Sequence, residues 1–321
     1  MTDAHPHPHS HGHGDGHGNG PAHGHGHGHG PDATQVDWDE LAPVLERQAE
    51  IATPMYEQAA DWLRTLLGGA EEHATGEAPV RRIWDVGSGP GVLTCLLARA
   101  FPGAEAVAVD PAPALLARVR DRAARLGLAD RVRTHEAELP GGLEGLGAAD
   151  LVWTSKVLHH VGDQQAAVAL LAGRLRPGGV LAVAEGGLPD RMLPRDIGIG
   201  RPGLQARMDA AQEEWFAEMR AALPGHRGTV EDWPAMLAAA GLRDTAARTF
   251  LLDLPAPLTG AARDHVAARL SRAADMYGDL LDASDRAVLA RLTDPEDEAG
   301  IAHRPDAFLL SAQTVHAGRA E

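Results

Sequence analysis

Residues 81–110 read "RRIWDVGSGPGVLTCLLARAFPGAEAVAVD". A short apolar run breaks into glycines at three alternate positions, Gly87, Gly89 and Gly91, and a second apolar run ends on Asp110. "RRIWDV" reads as a strand, and "GVLTCLLARAF" as a helix stopped by Pro102 and Gly103. Glycine permits positive φ and lets a ligand approach the backbone closely. A helix start near Pro90–Gly91 offers unpaired N–H groups. A glycine triplet can also be a plain tight turn. Its place after the first strand of an alternating set argues for more, because ligands of open parallel sheets bind beyond the carboxyl ends of the strands.

The alternation continues outward. "EAVAVD" is a second strand, followed by a helix over "APALLARVRDRAARLGL". "RVRTHEA" and "DLVWTSK" are the third and fourth strands, a helix covers roughly 163–175, and "VLAVAEGG" is the fifth strand after the turn "RPGG". Strands alternating with helices predict an α/β fold with a parallel sheet covered on both faces. Two helices precede the sheet: "DWDELAPVLERQAEI" and "TPMYEQAADWLRTLL", with Thr53 as N-cap and Pro54 at the first helical position. Beyond the fifth strand, Leu204, Met208, Ala211, Trp215, Met219 and Leu223 form one helical stripe, and Val266, Leu270, Ala273, Tyr277 and Leu280 another. Gly241 stops a helix before a sixth strand, "TAARTFLLDL", and "DAFLLSAQTVH" (306–316) closes the sheet. The expected organisation is a His/Gly-rich disordered tail over 1–35, a helical segment and linker over 36–79, and one domain over 80–321. The helices outside the core, 36–67 and the insertions near 188–223 and 257–293, are expected to form a lid.

The glycine spacing narrows the ligand. A dinucleotide loop has the pattern G-x-G-x-x-G; here it is G-x-G-x-G, with Asp85 two residues ahead. A carboxylate there repels a pyrophosphate and suits an ammonium group. Asp110, ending the second strand, stands where an acidic residue takes two ribose hydroxyls. The ligand suggested is a nucleoside without phosphates that carries an amine, which describes S-adenosylmethionine. A nicotinamide-dependent oxidoreductase is disfavoured by the same spacing.

Five segments in order, "IWDVGSGPG", "AVAVD", "HEAELP", "DLVWTSKVLHHVGD" and "LRPGGVLAVAE", resemble the class I S-adenosylmethionine-dependent methyltransferases, in the small-molecule branch with an "LHH" segment after the fourth strand. The resemblance covers roughly residues 80–186. It implies a Rossmann-like, seven-stranded, mostly parallel sheet and S-adenosylmethionine as cofactor. It implies that Asp85 and the backbone of Gly87, Ser88, Gly89 and Gly91 hold the methionine part. Asp110 would bind the ribose, Pro111 would flank the adenine, Glu136 would meet its amine, and Ala137 would offer its backbone. Ser155 would lie near the methionine and the substrate mouth. Glu136 stands where the family more often has aspartate, and a solvated loop carboxylate is its other reading.

Methyl transfer from a sulfonium is an in-line displacement that needs alignment and exclusion of water. A general base matters only where the acceptor must lose a proton. His159 and His160 are candidates, or they cap and pack at a helix start; two neighbours are not expected both to point into the site. Tyr56 is a third candidate, or part of its helix's packing. Glu185 either meets a polar substrate or closes its strand. Residues 193–203 are an entrance loop or a connection, and Arg195 and Arg201 face an acidic substrate or solvent. No carboxylates are spaced for a catalytic magnesium, so metal-independent transfer is expected.

The formal net charge of −16 argues against a nucleic-acid partner. The single cysteine, Cys95, excludes an intrachain disulfide and a cysteine-ligated metal. No apolar run is long enough for a membrane span, and no secretory pattern opens the chain, so a cytoplasmic protein is expected. Ten of the 18 histidines fall in the first 30 residues. His5, His7, His9, His11, His13, His23, His25, His27 and His29 could bind a divalent transition metal, without fixed geometry. Two functions remain open: methyl transfer to a small molecule such as a specialised or quinone-like metabolite, or a non-catalytic S-adenosylmethionine- or S-adenosylhomocysteine-binding regulatory or metal-handling protein.

Overall fold

A computed structural model describes residues 38–68 and 80–321. The histidine-rich stretch and almost all of the linker lie outside the described residues. The elements are α1 (Trp38–Ile51), α2 (Thr53–Leu66), β1 (Arg82–Val86), α3 (Val92–Ala100), β2 (Glu105–Asp110), α4 (Pro113–Arg125), β3 (Val132–Glu136), β4 (Ala149–Ser155), α5 (Gln164–Ala172), β5 (Leu175–Arg191), α6 (Leu204–Ala222), α7 (Trp233–Ala239), β6 (Arg243–Leu254), α8 (Gly260–Tyr277), α9 (Ala283–Thr293) and β7 (Leu309–Arg319). They build a seven-stranded sheet of order β3-β2-β1-β4-β5-β7-β6. The first five strands run parallel, and β7 inserts antiparallel between β5 and β6.

Alternate side chains of the central strands enter two different cores, as a pleat requires. Ile83, Ala106, Ala108, Leu151, Trp153 and Ala182 face α2, α3 and α4, while Trp84, Val86, Val107, Val109, Val152 and Leu181 face α5 and α7. Helices α6, α8 and α9 extend the first of these cores through Met208, Val266, Leu270 and Leu289. Leu63 on α2 and Leu67 just past its end are buried, and Trp62 meets Phe250 with ring centroids 5.9 Å apart. Among the described residues no helix is long and apolar enough to cross a membrane.

Several local expectations change. Thr53 does not cap α2: the chain stays helical through Ala52 (φ −80°, ψ −1°), so the Thr53 hydroxyl donates back to the Ala49 carbonyl at 3.3 Å. β5 starts before "RPGG" and runs on to Arg191, because β7 supplies it with partners as far as Leu310. The expected lid insertion at 188 therefore begins as strand. The last strand is shifted toward the C-terminus, reaching Arg319 opposite Val180. On α8, Val266, Leu270, Ala273 and Tyr277 are buried, but Leu280 lies outside the helix and is exposed. On α6 the stripe is buried only at Leu204, Met208 and Ala211; near its end the buried residue is Arg220. The Gly241 stop holds: α7 ends at Ala239 and Gly241 takes φ +86°.

Candidate functional site

The glycine loop lies at the carboxyl end of β1, held by its neighbour strand. The Gly87 and Ser88 N–H groups both donate to the Val109 carbonyl, at 2.8 and 3.1 Å. Gly87, Gly89 and Gly91 have φ of +72°, +54° and +78°, the left-handed region that glycine adopts without strain. Their reasons differ. A Cβ on Gly87 would come within 2.1 Å of Val157, and one on Gly91 within 2.7 Å of Val119, so these two allow the loop to pack on the β4 exit and on α4. A Cβ on Gly89 would meet nothing within 4 Å. The absent side chain at Gly89 leaves open space beside the backbone, as a close-lying ligand needs.

One carboxylate borders that space, and a second is buried close enough to feel its charge. Asp110 is 6 % exposed and accepts the Gly89 N–H at 2.9 Å on one oxygen and the Ala112 N–H at 2.9 Å on the other. Burial raises its pKa, against those two hydrogen bonds. Each oxygen keeps a further lone pair, enough for two hydroxyl donors. Asp85 is 2 % exposed and accepts the Thr94 hydroxyl at 2.6 Å. Desolvation by burial pushes its pKa up to about 7, with the Thr94 hydrogen bond pulling the other way and the Asp110 charge adding to the rise. A buried carboxyl so poised gains from a cationic partner. Thr94 was not singled out from the sequence; a hydroxyl within the apolar helix "GVLTCLLARAF" was the signal.

Glu136 stands directly beside Asp110 in the β2–β3 register and is exposed. The Ala137 N–H donates to the Asp110 carbonyl at 3.3 Å, so it is engaged within the protein rather than offered outward. Pro111 and Ser155 are half-buried at the ends of β2 and β4. The Ser88 hydroxyl is buried with no hydrogen-bond partner among the described residues. The open space at Gly89, two acidic side chains and a donor-rich loop fit an amine-bearing nucleoside; they do not fit a pyrophosphate.

The second half of the site is the turn after β4. Leu158–His160 forms a short 3-10 turn organised by Glu185 at the end of β5's parallel segment. Glu185 is 4 % exposed, and its Oε1 accepts the Val157 and Leu158 N–H groups at 2.7 and 2.8 Å. Its Oε2 lies 2.9 Å from His159 Nδ1. Burial raises the Glu185 pKa, but the His159 contact and the backbone donors outweigh it and hold the group below the usual carboxylate range. An ionised carboxylate only accepts, so His159 Nδ1 carries the proton and a neutral ring leaves Nε2 as a base. Glu185 therefore closes its strand onto the turn. The His159 and His160 rings lie side by side, with centroids 4.1 Å apart, rather than diverging, and His159 also meets Phe216 of α6 at 5.5 Å. His160 keeps an exposed edge, yet desolvation by the surrounding protein, then the neighbouring His159, bring its pKa down to about 4. Arg220, from α6, donates to the His159 and Val161 carbonyls at 2.8 Å each.

Tyr56 is buried edge-on to Trp153 (6.4 Å), and its hydroxyl faces Gln313 Oε1 at 3.4 Å. That is the packing reading of this residue. Arg201 is paired with Asp282 and Asp285, and Arg207 also reaches Asp285, so residues 193–203 are fastened to α9. Arg195 is exposed and its carbonyl accepts the Gly203 N–H at 2.6 Å. Among the described residues no three His, Cys, Asp or Glu gather in a metal-holding group.

Residues 84–181 match the family described as a methyltransferase domain. A trans-aconitate 2-methyltransferase of Methylobacterium radiotolerans is 38 % identical over 41 % of this chain and 51 % of its own length. An uncharacterized protein of Synechococcus sp. is 38 % identical over 34 % of this chain and 27 % of its own length. The chain thus spans about half or less of the curated relatives it matches. Among solved structures, a methyltransferase from Geobacter sulfurreducens in complex with S-adenosyl-L-homocysteine is similar at a TM-score of 0.42 and 18 % identity, covering 78 % of this chain and 88 % of that one.

Proposed function

We propose that residues 84–181, which match the methyltransferase-domain family, form a class I S-adenosylmethionine-dependent methyltransferase domain, and that the whole chain is an enzyme that methylates a small molecule. The space beside Gly89, bordered by Asp110 with the buried Asp85 carboxyl near enough to feel its charge, is the observation that carries this reading. S-adenosylmethionine supplies, when bound, a methyl group on a positively charged sulfur that departs without acid assistance.

The residues divide the work. Asp85 would hold the ammonium; its pKa, raised to about 7 by burial, would fall beside that cation, and a proton would be released near neutral pH. Asp110 receives the ribose hydroxyls on its remaining lone pairs, and the Gly89 and Ala112 N–H groups hold it for that purpose. Pro111 and Glu136 border the adenine. Ser155 lies at the passage to the acceptor. Where the acceptor carries a proton to be lost, His159 Nε2 takes it, with Glu185 fixing the tautomer. The direct displacement needs no metal. A small-molecule acceptor accords with the name of the trans-aconitate relatives and with the chain's net charge of −16.

Calorimetric titration with S-adenosylmethionine tests the reading. Wild type binds saturably, and Asp110→Ala weakens binding at least about tenfold, about 1.4 kcal/mol, while circular dichroism shows both folded. No binding by folded wild type would sink it.

A further inference from the structure

Two departures from regular strand geometry meet at one backbone carbonyl beside the histidine turn. Lys156, immediately after Ser155, takes φ +56°, in the left-handed region that favours glycine. Its N–H donates to the Ala184 carbonyl at 3.2 Å. The next residue of β5 is Glu185, and there the pairing with β7 slips. Ala184 stands opposite Val315, whereas Gly187 stands opposite Gln313. Three steps along β5 thus face two along β7, an irregularity of the kind that re-aims a side chain. Gly186 and Gly187 carry it with φ of +70° and +126°, and a Cβ on Gly187 would come within 2.1 Å of the Ala312 carbonyl oxygen. The Glu185 carboxylate leaves the strand at this point and takes the Val157 and Leu158 N–H groups and the His159 ring.

A side chain of β7 meets this segment. Gln313 is 4 % exposed, on a strand whose other buried residues, Leu309, Ala312, Val315 and Ala317, are all apolar. Its Nε2 donates to the Ala184 carbonyl at 2.9 Å, and its Oε1 accepts from the Tyr56 hydroxyl of α2 at 3.4 Å. A carbonyl only accepts, so the nitrogen end of the amide faces Ala184 and the oxygen end faces the hydroxyl. Packing alone does not call for an amide here: burying one is costly unless it is hydrogen-bonded, and an apolar side chain of the same length fills the same space. The Ala184 carbonyl does not call for it either, since Lys156 already donates to that oxygen. What the amide adds is direction. It ties the peptide between Ala184 and Glu185 to β7 and, through Tyr56, to the helix that packs on Trp153 of β4.

We propose that Gln313 is a positioning residue: by holding the peptide between Ala184 and Glu185, it aims the Glu185 carboxylate at the histidine turn and so sets which nitrogen of His159 carries the proton. It acts through Glu185 rather than on the reacting atoms. The inference rests on the reading of His159 as the base of a methyltransferase. A shift of the peptide moves both Glu185 oxygens, and the 2.9 Å contact to His159 Nδ1 is the one that selects the tautomer.

The test reads His159 directly, by nitrogen NMR of the full chain with isotope-labelled histidine under mildly alkaline conditions; the His159 signals are identified by their absence from His159→Gln. Wild type is expected to show His159 protonated at Nδ1. In Gln313→Met, which fills the space without the amide, the ratio of the Nδ1–H to the Nε2–H form is expected to fall about threefold or more, the scale of one net hydrogen bond. Val315→Ala, two residues along the same strand, thins the same core without touching the amide and is expected to leave the ratio as in wild type. Should Gln313→Met not fold, Gln313→Asn, which withdraws the amide by one methylene, is read in the same way. The proposal is overturned if the Gln313 variant keeps the wild-type ratio, if Val315→Ala lowers it as much, or if wild-type His159 is protonated at Nε2. Titration with S-adenosylhomocysteine separates the two readings. The variants are expected to bind it within about twofold of wild type; failure of folded wild type to bind it overturns the methyltransferase reading, while the His159 ratio still decides the positioning role.

Discussion

Three glycines at alternate positions look equivalent, and their neighbours make them unequal. At Gly89 the space is empty, so Gly89→Ala costs only the strain of φ +54°, about 1–2 kcal/mol, and leaves the fold intact. Its methyl group then occupies the space assigned to the ligand. Gly87→Ala drives a methyl into Val157 and destabilises the loop itself. Thermal melts with S-adenosylmethionine titrations are expected to show a folded, non-binding Gly89→Ala and a less stable Gly87→Ala; tight binding by Gly89→Ala would refute the assignment. Asp85 carries the second residue-scale prediction. Its pKa is raised from 3.8 to about 7, so the folded protein holds a proton that the unfolded chain releases. Stability therefore falls as pH rises between those values. Asp85→Asn removes the cost, with a gain over wild type that grows from pH 4 to pH 7 and approaches a few kcal/mol, since each tenfold change in proton affinity is worth about 1.4 kcal/mol. A pH-independent difference in urea midpoints would contradict it.

At the scale of elements, one side chain joins β5 to the turn after β4. Glu185 holds two backbone N–H groups and the His159 ring, and Arg220 holds the same turn from α6. Glu185→Gln puts an amide donor where only acceptors are wanted, and leaves buried donors poorly met. The expected loss is about 1–3 kcal/mol. Because the Glu185 pKa is depressed, its contribution is present above the unfolded value and lost as pH falls through the folded one. The destabilisation measured by denaturant unfolding should accordingly shrink below about pH 4. An acceptor that needs deprotonation should also lose turnover as His159 loses its fixed tautomer. The motif "LHH" was legible as a string, but the role of Glu185 was not, since the two lie 26 residues apart along the chain.

Across the whole molecule, charge joins the segments that follow β5 at Asp285. Asp285 is buried on α9, receives Arg207 on both oxygens, and shares Arg201 with Asp282, so it links the 193–203 segment and α6 to α9. Those contacts hold its pKa below the ordinary value, with Arg207 the largest influence. Asp285→Ala leaves two guanidinium groups without it, one of them well exposed, so the cost is about 1–3 kcal/mol rather than that of a fully buried pair. Differential scanning calorimetry should show it, with faster proteolytic cleavage within 193–203. An unchanged melting temperature would mean that the apolar contacts of Met192, Leu193 and Ile197 suffice.

The sequence by itself determined the alternation of strands and helices, the place of the glycine loop and the acidic ends of β1, β2 and β3, because these follow from patterns within a few residues. It also determined which residue types could hold an amine and a ribose. Tertiary structure decided what those residues are bound to. Thr94 meets Asp85, Ala137 spends its N–H on Asp110, Tyr56 packs on Trp153, and Arg201 belongs to α9. Partners so distant along the chain are chosen by packing, and the burial that shifts a carboxyl or an imidazole exists only once the layers have closed.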